Sequence, residues 1–347
     1  MGESGTLARL STALLALASR AGERWTIQAH GTLLFRRSLP LFTALHQAGV
    51  RFERKNLPGT WPVEFVSVAP PTRLSLRHPV SSQEVSALLV ALAAHARAGE
   101  LLVEGPLPSR PYVRMTETLL RAFGAEVAAT PSGFAVRGPM RAPSASLTIE
   151  PDASSAAVAL AAACLTGGEL IVNDLGSSSS QGDVRIIEHL CAFGCEASAS
   201  PIALQARGFP RHGAELDLAD EPDLAPVLCA IAFGAARRAG ARSRLRGLGT
   251  LPGKESDRLT GLARGLEALG AAVATGADWI EIRPGTSPSK EPVLLDPRGD
   301  HRMVFTFALC GLVRDGVRVR DAQASVAKSW RTFWSDLERL GAQLTRG

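Results

Sequence analysis

Aromatic residues are scarce in this sequence: they make up 5% of its 347 residues, with Tyr112 as the single tyrosine. Proteins that bind single-stranded nucleic acid stack bases on aromatic side chains beside a basic groove. The chain has a formal net charge of +5, but its arginines are scattered along the sequence. We therefore expect no nucleic-acid partner, and the mild positive charge fits a basic cleft for a small anion better.

Long apolar runs and paired cysteines are also missing. No apolar stretch reaches the roughly 18 residues of a membrane span, and the start of the chain carries no signal-peptide pattern. The five cysteines lie in apolar, alanine-rich stretches and lack the spacing of zinc ligands, which is typical of a reducing cytoplasm. The sequence therefore predicts a cytoplasmic protein with no membrane partner, metal site or disulfide frame.

A repeated pattern organises the chain. Five amphipathic segments each end at a glycine that precedes an apolar residue, and these glycines are Gly49, Gly124, Gly194, Gly270 and Gly341. Glycine in this position is the usual left-handed helix cap, and a spacing of about seventy residues suits a small α/β module rather than a solenoid repeat. The pattern predicts an α/β fold of repeated units in two domains, residues 1–143 and 144–347. Because Gly49 lies only about fifty residues from the start, we expect the first unit to be incomplete.

Apolar runs inside these units predict the buried elements. Helices are predicted at 14–18, 85–94, 156–164 and 304–312, and strands at 101–103, 170–172, 279–282 and 317–319.

Two charged clusters stand where helices are predicted to begin. They are Lys254-Glu255-Ser256-Asp257-Arg258 and Asp300-His301-Arg302-Met303. One interpretation is a well-capped helix, with Ser256 or Asp257 as the cap. The other is that the cations bind an anion at the positive helix end, with Glu255 as proton donor and acceptor.

Two further positions have similar alternatives. Asp223 is predicted as a helix N-cap with Pro226 in the first turn, and this structural role is the stronger one for an isolated Asp. Lys328 is predicted at the start of the last helix, where a cation opposes the helix dipole. That unfavourable position suggests an anionic partner for Lys328.

Taken in order along the chain, these motifs and others like them resemble those of the enolpyruvylshikimate-phosphate synthase family. The matching strings are Ser4-Gly5-Thr6 with Arg9, Arg37, Ser81-Ser82-Gln83, Ser109-Arg110-Pro111-Tyr112, Asp152-Ala153-Ser154-Ser155, Gln181-Gly182-Asp183, Pro222-Asp223, the two charged clusters and Lys328. The resemblance covers the whole chain.

The resemblance implies a two-domain enolpyruvyl transferase-like fold, an inside-out α/β barrel of repeated units whose helices point at an interdomain cleft. It also implies transfer of the carboxyvinyl group of phosphoenolpyruvate to shikimate 3-phosphate, with release of phosphate, in aromatic amino acid biosynthesis. The reaction would pass through a tetrahedral intermediate without metal or cofactor. We expect the protein to be a monomer.

Roles follow from the resemblance residue by residue. Asp223 would be the base toward the attacking hydroxyl, and Glu255 would handle the proton at the methylene carbon. Shikimate 3-phosphate would be held by Ser81, Ser82, Gln83, Ser109, Asp223 and Lys254. Phosphoenolpyruvate would be held by Gly5, Arg37, Gln83, Arg258, Arg302 and Lys328.

The chain also departs from the family pattern. Nothing in it matches the opening Gly-Ser-Lys-Ser loop, so we expect the first unit to be largely missing and place the activity of this chain in question. Ser38 replaces a proline, which leaves Arg36 as an alternative to Arg37. Two other hypotheses stay open: a catalytically silent paralogue that acts as a binding protein, and a missing unit that a separate chain supplies.

Overall fold

The computed structural model describes residues 1–54, 57–95, 98–144, 146–285 and 291–345. The chain divides into two compact units, Met1–Ile149 (unit 1) and Glu150–Gly347 (unit 2). The predicted boundary at residue 143 lies in a stretch without regular structure: residues 138–144 and 146–152 contain no helix or strand.

In both units, groups of one to three strands separate successive helices, except that α10 and α11 follow one another directly. The helices are α1 (Gly5–Ala18), α2 (Leu39–Gln47), α3 (Ser82–Ala93), α4 (Arg110–Ala122), α5 (Ala153–Thr166), α6 (Ile186–Ala192), α7 (Ala225–Ala239), α8 (Arg258–Ala268), α9 (His301–Gly311), α10 (Ala322–Val326) and α11 (Phe333–Arg339). The strands are β1 (Arg24–Ile27), β2 (Arg51–Arg54), β3 (Val63–Val66), β4 (Arg73–Arg77), β5 (Ala98–Glu104), β6 (Glu126–Thr130), β7 (Gly133–Arg137), β8 (Glu169–Asn173), β9 (Glu196–Ala199), β10 (Ala203–Arg207), β11 (Glu215–Asp217), β12 (Ser243–Arg246), β13 (Ala272–Thr275), β14 (Trp279–Arg283), β15 (Val293–Leu295) and β16 (Val317–Val319). Among the described helices, none combines the length and the apolar character that a bilayer crossing requires.

The sheets show the repeat directly. Unit 1 contains the sheets β1-β3-β2 and β4-β5-β7-β6, and unit 2 contains β8-β10-β9, β11-β12-β14-β13 and β15-β16. The two four-stranded sheets share one topology, because in each the first two strands are parallel and a hairpin completes the sheet. A parallel pair needs a crossover helix, and α3 and α7 supply it in the two sheets. The described residues thus form two modules in unit 1 and three in unit 2.

The five predicted cap glycines are confirmed. Each lies two residues beyond the end of its helix, with φ between +80° and +100°. The N–H of the next residue donates to the carbonyl five residues back, at 3.0 to 3.1 Å, which closes a Schellman motif. A strand follows the first four glycines, but residues 342–345 form none. Ala342 and Leu344 still pack against the core of unit 2.

The predicted helices and strands are confirmed: most extend beyond the predicted bounds, β16 has the predicted bounds, and α3 and α9 each end one residue earlier than predicted. They enclose one hydrophobic core in each unit. The core of unit 1 lies around Trp61, Phe42 and Phe65, and that of unit 2 around Phe193, Phe233 and Phe307. Helix α7 is buried on almost every face, which holds its N-terminal end firmly against the helices on either side.

Candidate active site

The polar cluster of unit 2 forms at the N-terminal ends of three helices that pack together, α7, α8 and α9. Asp223 lies in the 3-10 turn Pro222–Leu224 just before α7, and Lys254 and Glu255 precede α8. Arg258 is the first residue of α8, and Arg302 lies in the first turn of α9. Three helix starts therefore bring acids and cations from distant parts of the chain into contact.

Asp223 stands at the centre of this cluster. Its Oδ1 lies 3.2 Å from Lys254 Nζ and accepts a hydrogen bond from Arg258 Nη1 at 2.9 Å. Arg302 also contacts this residue: its Nη1 donates to the Asp223 carbonyl at 3.0 Å, and its Nη2 lies 3.6 Å from Oδ2. The side chain keeps 21% of its surface exposed, so Asp223 is both fixed and reachable.

The electrostatics of the cluster follow from this geometry. Burial by itself raises the pKa of Asp223, but Lys254, Arg302 and Arg258 outweigh it and hold that pKa well below its usual value. Burial lowers the pKa of Lys254 and the two arginines add to this effect, while Asp223 opposes it. Asp223 is therefore ionised at neutral pH, as a proton acceptor must be.

Asp300 holds the guanidinium group of Arg258 in place. It is fully buried and accepts from Arg258 Nε at 2.7 Å and Nη2 at 3.2 Å, a bidentate pair. Its Oδ1 also caps α9 by accepting from the Arg302 N–H at 3.0 Å, and Ser256 Oγ donates to Oδ2 at 3.1 Å. One carboxylate thus orients Arg258, closes the helix start and ties the two charged clusters together.

Glu255 has a different set of neighbours. Its Oε2 lies 3.1 Å from His301 Nδ1 and 4.0 Å from Lys328 Nζ. Lys328 is held in turn by the carbonyl of Gly299 at 2.8 Å. A carboxylate beside an imidazole and an ammonium group has two nearby partners for exchanging a proton.

One group in unit 2 has the composition of a metal site. Glu255, Asp300 and His301 offer ligand atoms that lie within 4.8 Å of one another. However, Arg258 already takes both oxygens of Asp300, and Lys328 lies close to Glu255. Cations in these positions repel a metal ion, so the donor set fits an acid–base role better.

Unit 1 carries a second polar cluster, centred on the buried Arg9 of α1. Arg9 donates through Nη1 to Gln83 Oε1 at 2.9 Å, through Nε to Ser38 Oγ at 2.9 Å, and through Nη2 to the carbonyl of Arg37 at 3.3 Å. Ser38 Oγ donates in turn to the buried Glu84 at 2.5 Å. Because the Gln83 oxygen is occupied by Arg9, its amide NH2 is the group left to face a ligand.

Arg36, rather than Arg37, accompanies this cluster. A Cβ added at Gly5 would lie 2.6 Å from Arg9 Nη1 and 2.8 Å from Arg36 Nη2, so both guanidinium groups approach the start of α1. The side chain of Arg37 is exposed. Burial and the neighbouring charge of Arg36 lower the pKa of Arg9 to about 10, so Arg9 remains charged at neutral pH. Two close cations at a helix N-terminus favour an anion between them.

The serines predicted to bind substrate lie at two helix starts of unit 1. Ser81 caps α3 by accepting from the Gln83 N–H at 3.2 Å, and Ser82 is buried in the first turn. Ser109 precedes α4 with φ of 53°, in the left-handed region, and its side chain makes no capping hydrogen bond. A non-glycine residue in this conformation is uncommon, and here it leaves the hydroxyl unused by the helix.

Two predictions about helix starts are wrong. Asp223 does not cap α7, because the 3-10 turn precedes the helix and Leu224 takes the N-cap position. Lys328 does not open a helix either: it follows the short α10, and the last helix begins at Phe333. Of the two cap candidates before α8, Asp257 is the N-cap, because its Oδ1 accepts from the Thr260 N–H at 3.1 Å. Ser256 instead donates its hydroxyl hydrogen bond to Asp300.

Ser154 is a member of the unit 2 cluster to which the sequence assigned no role. Its hydroxyl accepts from Arg302 Nη2 at 3.0 Å and donates to Asp183, which is buried. Both residues belong to motifs that carried the family resemblance. The signal was therefore present, but only the packing of α5 beside α9 reveals the contact.

Acid unfolding offers a test of the Asp300–Arg258 pair. Burial raises the pKa of Asp300, but Arg258 outweighs it and the pKa lies below its ordinary value. Such a carboxylate stabilises the fold above its unfolded pKa of about 3.9, and this contribution is lost as the pH falls toward the folded pKa.

We therefore expect Asp300→Asn to reduce stability at neutral pH and to flatten the fall in unfolding free energy below about pH 5. Urea unfolding between pH 3 and pH 7 measures this dependence. The exposed Asp217, which pairs with Arg246 at the surface, provides the control Asp217→Asn. A fall as steep as in the original protein would contradict the assignment.

The repeated modules and the cation-rich helix starts define an α/β protein built to bind small anions. The profile of the EPSP synthase (3-phosphoshikimate 1-carboxyvinyltransferase) family matches residues 1–337. The chain belongs to the EPSP synthase family.

Individual relatives agree with this assignment. The 3-phosphoshikimate 1-carboxyvinyltransferase of Syntrophobacter fumaroxidans is 35% identical over 98% of this chain and 79% of its own length. That of Methanopyrus kandleri is 37% identical over 98% of this chain and 77% of its own length.

Solved structures show the same fold. EPSP synthase from Acinetobacter baumannii matches with a TM-score of 0.73 at 23% identity, over 97% of this chain and 77% of that one. The enolpyruvyl transferase NikO from Streptomyces tendae matches with a TM-score of 0.69 at 18% identity, over 94% of this chain and 74% of that one. The predicted enolpyruvyl transferase-like fold is confirmed.

Proposed function

We propose that this chain transfers the carboxyvinyl group of phosphoenolpyruvate to a hydroxyl of shikimate 3-phosphate and releases phosphate. The observation that carries the proposal is the ionised Asp223 held among Lys254, Arg258 and Arg302 in a member of this family. Both substrates are polyanions, and several fixed cations are needed to hold them.

Asp223 is the base in this proposal. It removes the proton of the attacking hydroxyl while the oxygen bonds to the central carbon of phosphoenolpyruvate. Glu255 delivers a proton to the methylene carbon, which gives a tetrahedral intermediate. The Glu255 carboxylate then takes a proton back from the same carbon, which re-forms the double bond as phosphate leaves. The lysines and arginines of the cluster stabilise the charge on the phosphate and carboxylate groups throughout.

The binding roles are divided between the two units. In unit 1, Ser81, Ser82 and Ser109 are assigned to shikimate 3-phosphate, and Gln83 offers its NH2 to either substrate. In unit 2, Lys254 and Asp223 are assigned to shikimate 3-phosphate, with Arg258, Arg302 and Lys328 for phosphoenolpyruvate. For the remaining cation of unit 1 we propose Arg36 in place of Arg37, because its guanidinium lies beside Gly5 and Arg9.

Phosphate release tests the proposal. Purified protein with shikimate 3-phosphate should release phosphate only when phosphoenolpyruvate is added, and calorimetry should detect binding of shikimate 3-phosphate on its own. Binding without phosphate release by a folded sample would favour the silent-paralogue alternative. Neither binding nor release would remove the proposed substrates.

Gly5 provides a test of the anion site in unit 1. We expect Gly5→Ala to raise KM for phosphoenolpyruvate by about 10-fold or more, because its methyl group displaces guanidinium groups whose charge-assisted hydrogen bonds contribute ~1.5–3 kcal/mol each. Steady-state kinetics with each substrate varied in turn measures the change.

Gly311→Ala is the matched control. Among the described residues, its added Cβ meets Val317 alone, at 3.6 Å, an ordinary contact distance. An unchanged KM for phosphoenolpyruvate in Gly5→Ala would place the anion elsewhere.

A further inference from the structure

Glu221 is a fully buried carboxylate two residues before Asp223. Its Oε1 lies 2.8 Å from His189 Nε2, and both of its oxygens accept from Arg185 Nη1, at 2.8 and 2.9 Å. His189 lies in α6 with 5% of its side chain exposed, and Arg185 ends the 3-10 turn Gly182–Arg185. None of these three side chains has a role in the proposed chemistry.

Stability alone does not account for this arrangement. Removing a carboxylate from water costs several kcal/mol, and well-packed apolar side chains in place of such a pair are often as stable or more stable. Glu221 also takes the N-cap position of the 3-10 turn Pro222–Leu224 without capping it through its side chain. Its carbonyl accepts from the Leu224 N–H at 3.0 Å. The backbone of Glu221 therefore starts the turn that contains Asp223, while its side chain is held by Arg185 and His189.

A second set of contacts connects Asp223 to the 3-10 turn Gly182–Arg185. Asp183, two residues before Arg185, accepts from Ser154 Oγ. Ser154 accepts from Arg302 Nη2 at 3.0 Å, and Arg302 Nη1 donates to the Asp223 carbonyl at 3.0 Å. The 3-10 turn Gly182–Arg185 is therefore connected to Asp223 by two sets of contacts, one through Glu221 and one through Arg302.

We propose that Arg185 and the buried His189 and Glu221 form a positioning network that fixes the carboxylate of Asp223 for proton transfer. The proposal rests on the role of Asp223 as base. Proton transfer requires the base within hydrogen-bond reach of the hydroxyl, and a displacement of about 1 Å caused by a distant mutation can cost ~10²-fold in rate. The three residues act through Asp223 and touch no substrate.

The decisive variant replaces the pair by apolar side chains, Glu221→Leu with His189→Leu. Arg185 is 41% exposed and keeps Glu188 as a surface partner, so it is not left buried without a counter-charge. We expect the melting temperature to stay level or rise. We expect kcat to fall by about 10- to 100-fold, with KM for shikimate 3-phosphate changing by less than about 3-fold. A pair with only a structural role predicts instead that kcat is preserved whenever stability is.

A crystal structure of the double variant provides a test that does not depend on turnover. We expect Asp223 Oδ1 to leave its positions 3.2 Å from Lys254 Nζ and 2.9 Å from Arg258 Nη1. If Asp223 Oδ1 keeps its distances to Lys254 Nζ and Arg258 Nη1, or if kcat is unchanged, the proposed positioning role is wrong. If the original protein shows no turnover, the proposed reaction fails, while these distances still decide the positioning role.

Two single variants complete the design. Glu221→Gln keeps the size and hydrogen-bonding capacity of the side chain, and we expect it to retain more kcat than the double variant at equal KM. Should the double variant fail to fold, a kcat in Glu221→Gln equal to that of the original protein would overturn the proposal, and a lowered kcat would support it. Glu188→Gln is the matched control, because it removes a partner of Arg185 that is 66% exposed. We expect it to leave kcat unchanged.

Discussion

Asp223→Asn is expected to lower kcat for phosphate release by about 10²- to 10⁴-fold, the range that general base catalysis contributes. An amide has nearly the size of the carboxylate and still accepts hydrogen bonds from Lys254 and Arg258, but it does not take up a proton. Rapid measurement of phosphate release at saturating substrates gives kcat, and calorimetry shows whether shikimate 3-phosphate still binds.

The same substitution at Asp217 separates the base from a general loss of charge. Asp217 is 55% exposed and pairs with Arg246 on a strand of the same unit. We expect Asp217→Asn to turn over at the original rate. An Asp223→Asn protein that keeps a tenth or more of the original kcat would remove Asp223 as the base.

Arg258→Ala is expected to produce the largest loss of stability, about 3–5 kcal/mol, because it leaves the buried Asp300 without its partner. Arg258 is itself only 3% exposed and binds Asp300 and Asp223 together. Urea unfolding measures the loss, and phosphate release should also fall because the anion site loses a cation. The expected sign is a lower midpoint with little change in slope.

Two further variants identify the cause of that loss. In Arg258→Met with Asp300→Asn the buried charges are both gone and the amide still caps α9, so we expect part of the stability to return. Arg242→Ala removes ion pairs with the exposed Glu215 and with Glu281. Glu281 keeps Arg244 and Arg283 as partners, so we expect little change. A midpoint for Arg258→Ala that matches Arg242→Ala would show that the buried pair does not stabilise the fold.

The buried pair has a functional consequence as well. Four cations, Lys254, Arg258, Arg302 and Lys328, meet three carboxylates, Asp223, Glu255 and Asp300, in one cluster of unit 2. Among these seven side chains the cations outnumber the carboxylates by one, which favours an anionic substrate. Both oxygens of Asp300 accept hydrogen bonds from Arg258, so Asp223 and Glu255 remain as the carboxylates available for proton transfer.

Local features of the fold were predictable because they depend on near neighbours in the chain. The five cap glycines need only a helix on one side and a positive φ, and Gly49 and Gly270 show this in different units. The apolar runs around α5 and α9 identify buried helices by composition alone. The order of the motifs was enough to identify the family, because each motif is a short string.

Contacts across the chain were not predictable in the same way. The hydroxyl of Ser154 meets Arg302 across 148 residues, and Glu221 meets His189 across 32. No local pattern distinguishes a serine that caps a helix from one that holds an arginine. The choice between Arg36 and Arg37 as the anion-binding arginine is similar. Two adjacent arginines fit the sequence motif equally well, and only the folded backbone shows that the Arg36 side chain lies beside Gly5.

Asp223 shows where the two kinds of information divide. Its proline neighbour and the apolar helix that follows are visible in the sequence and predict a helix start. That it lies in a preceding 3-10 turn, with a lowered pKa among three cations, depends on how α7, α8 and α9 pack. Hydrogen-bonding and electrostatic partners are set by distance in space, and only the folded chain determines those distances.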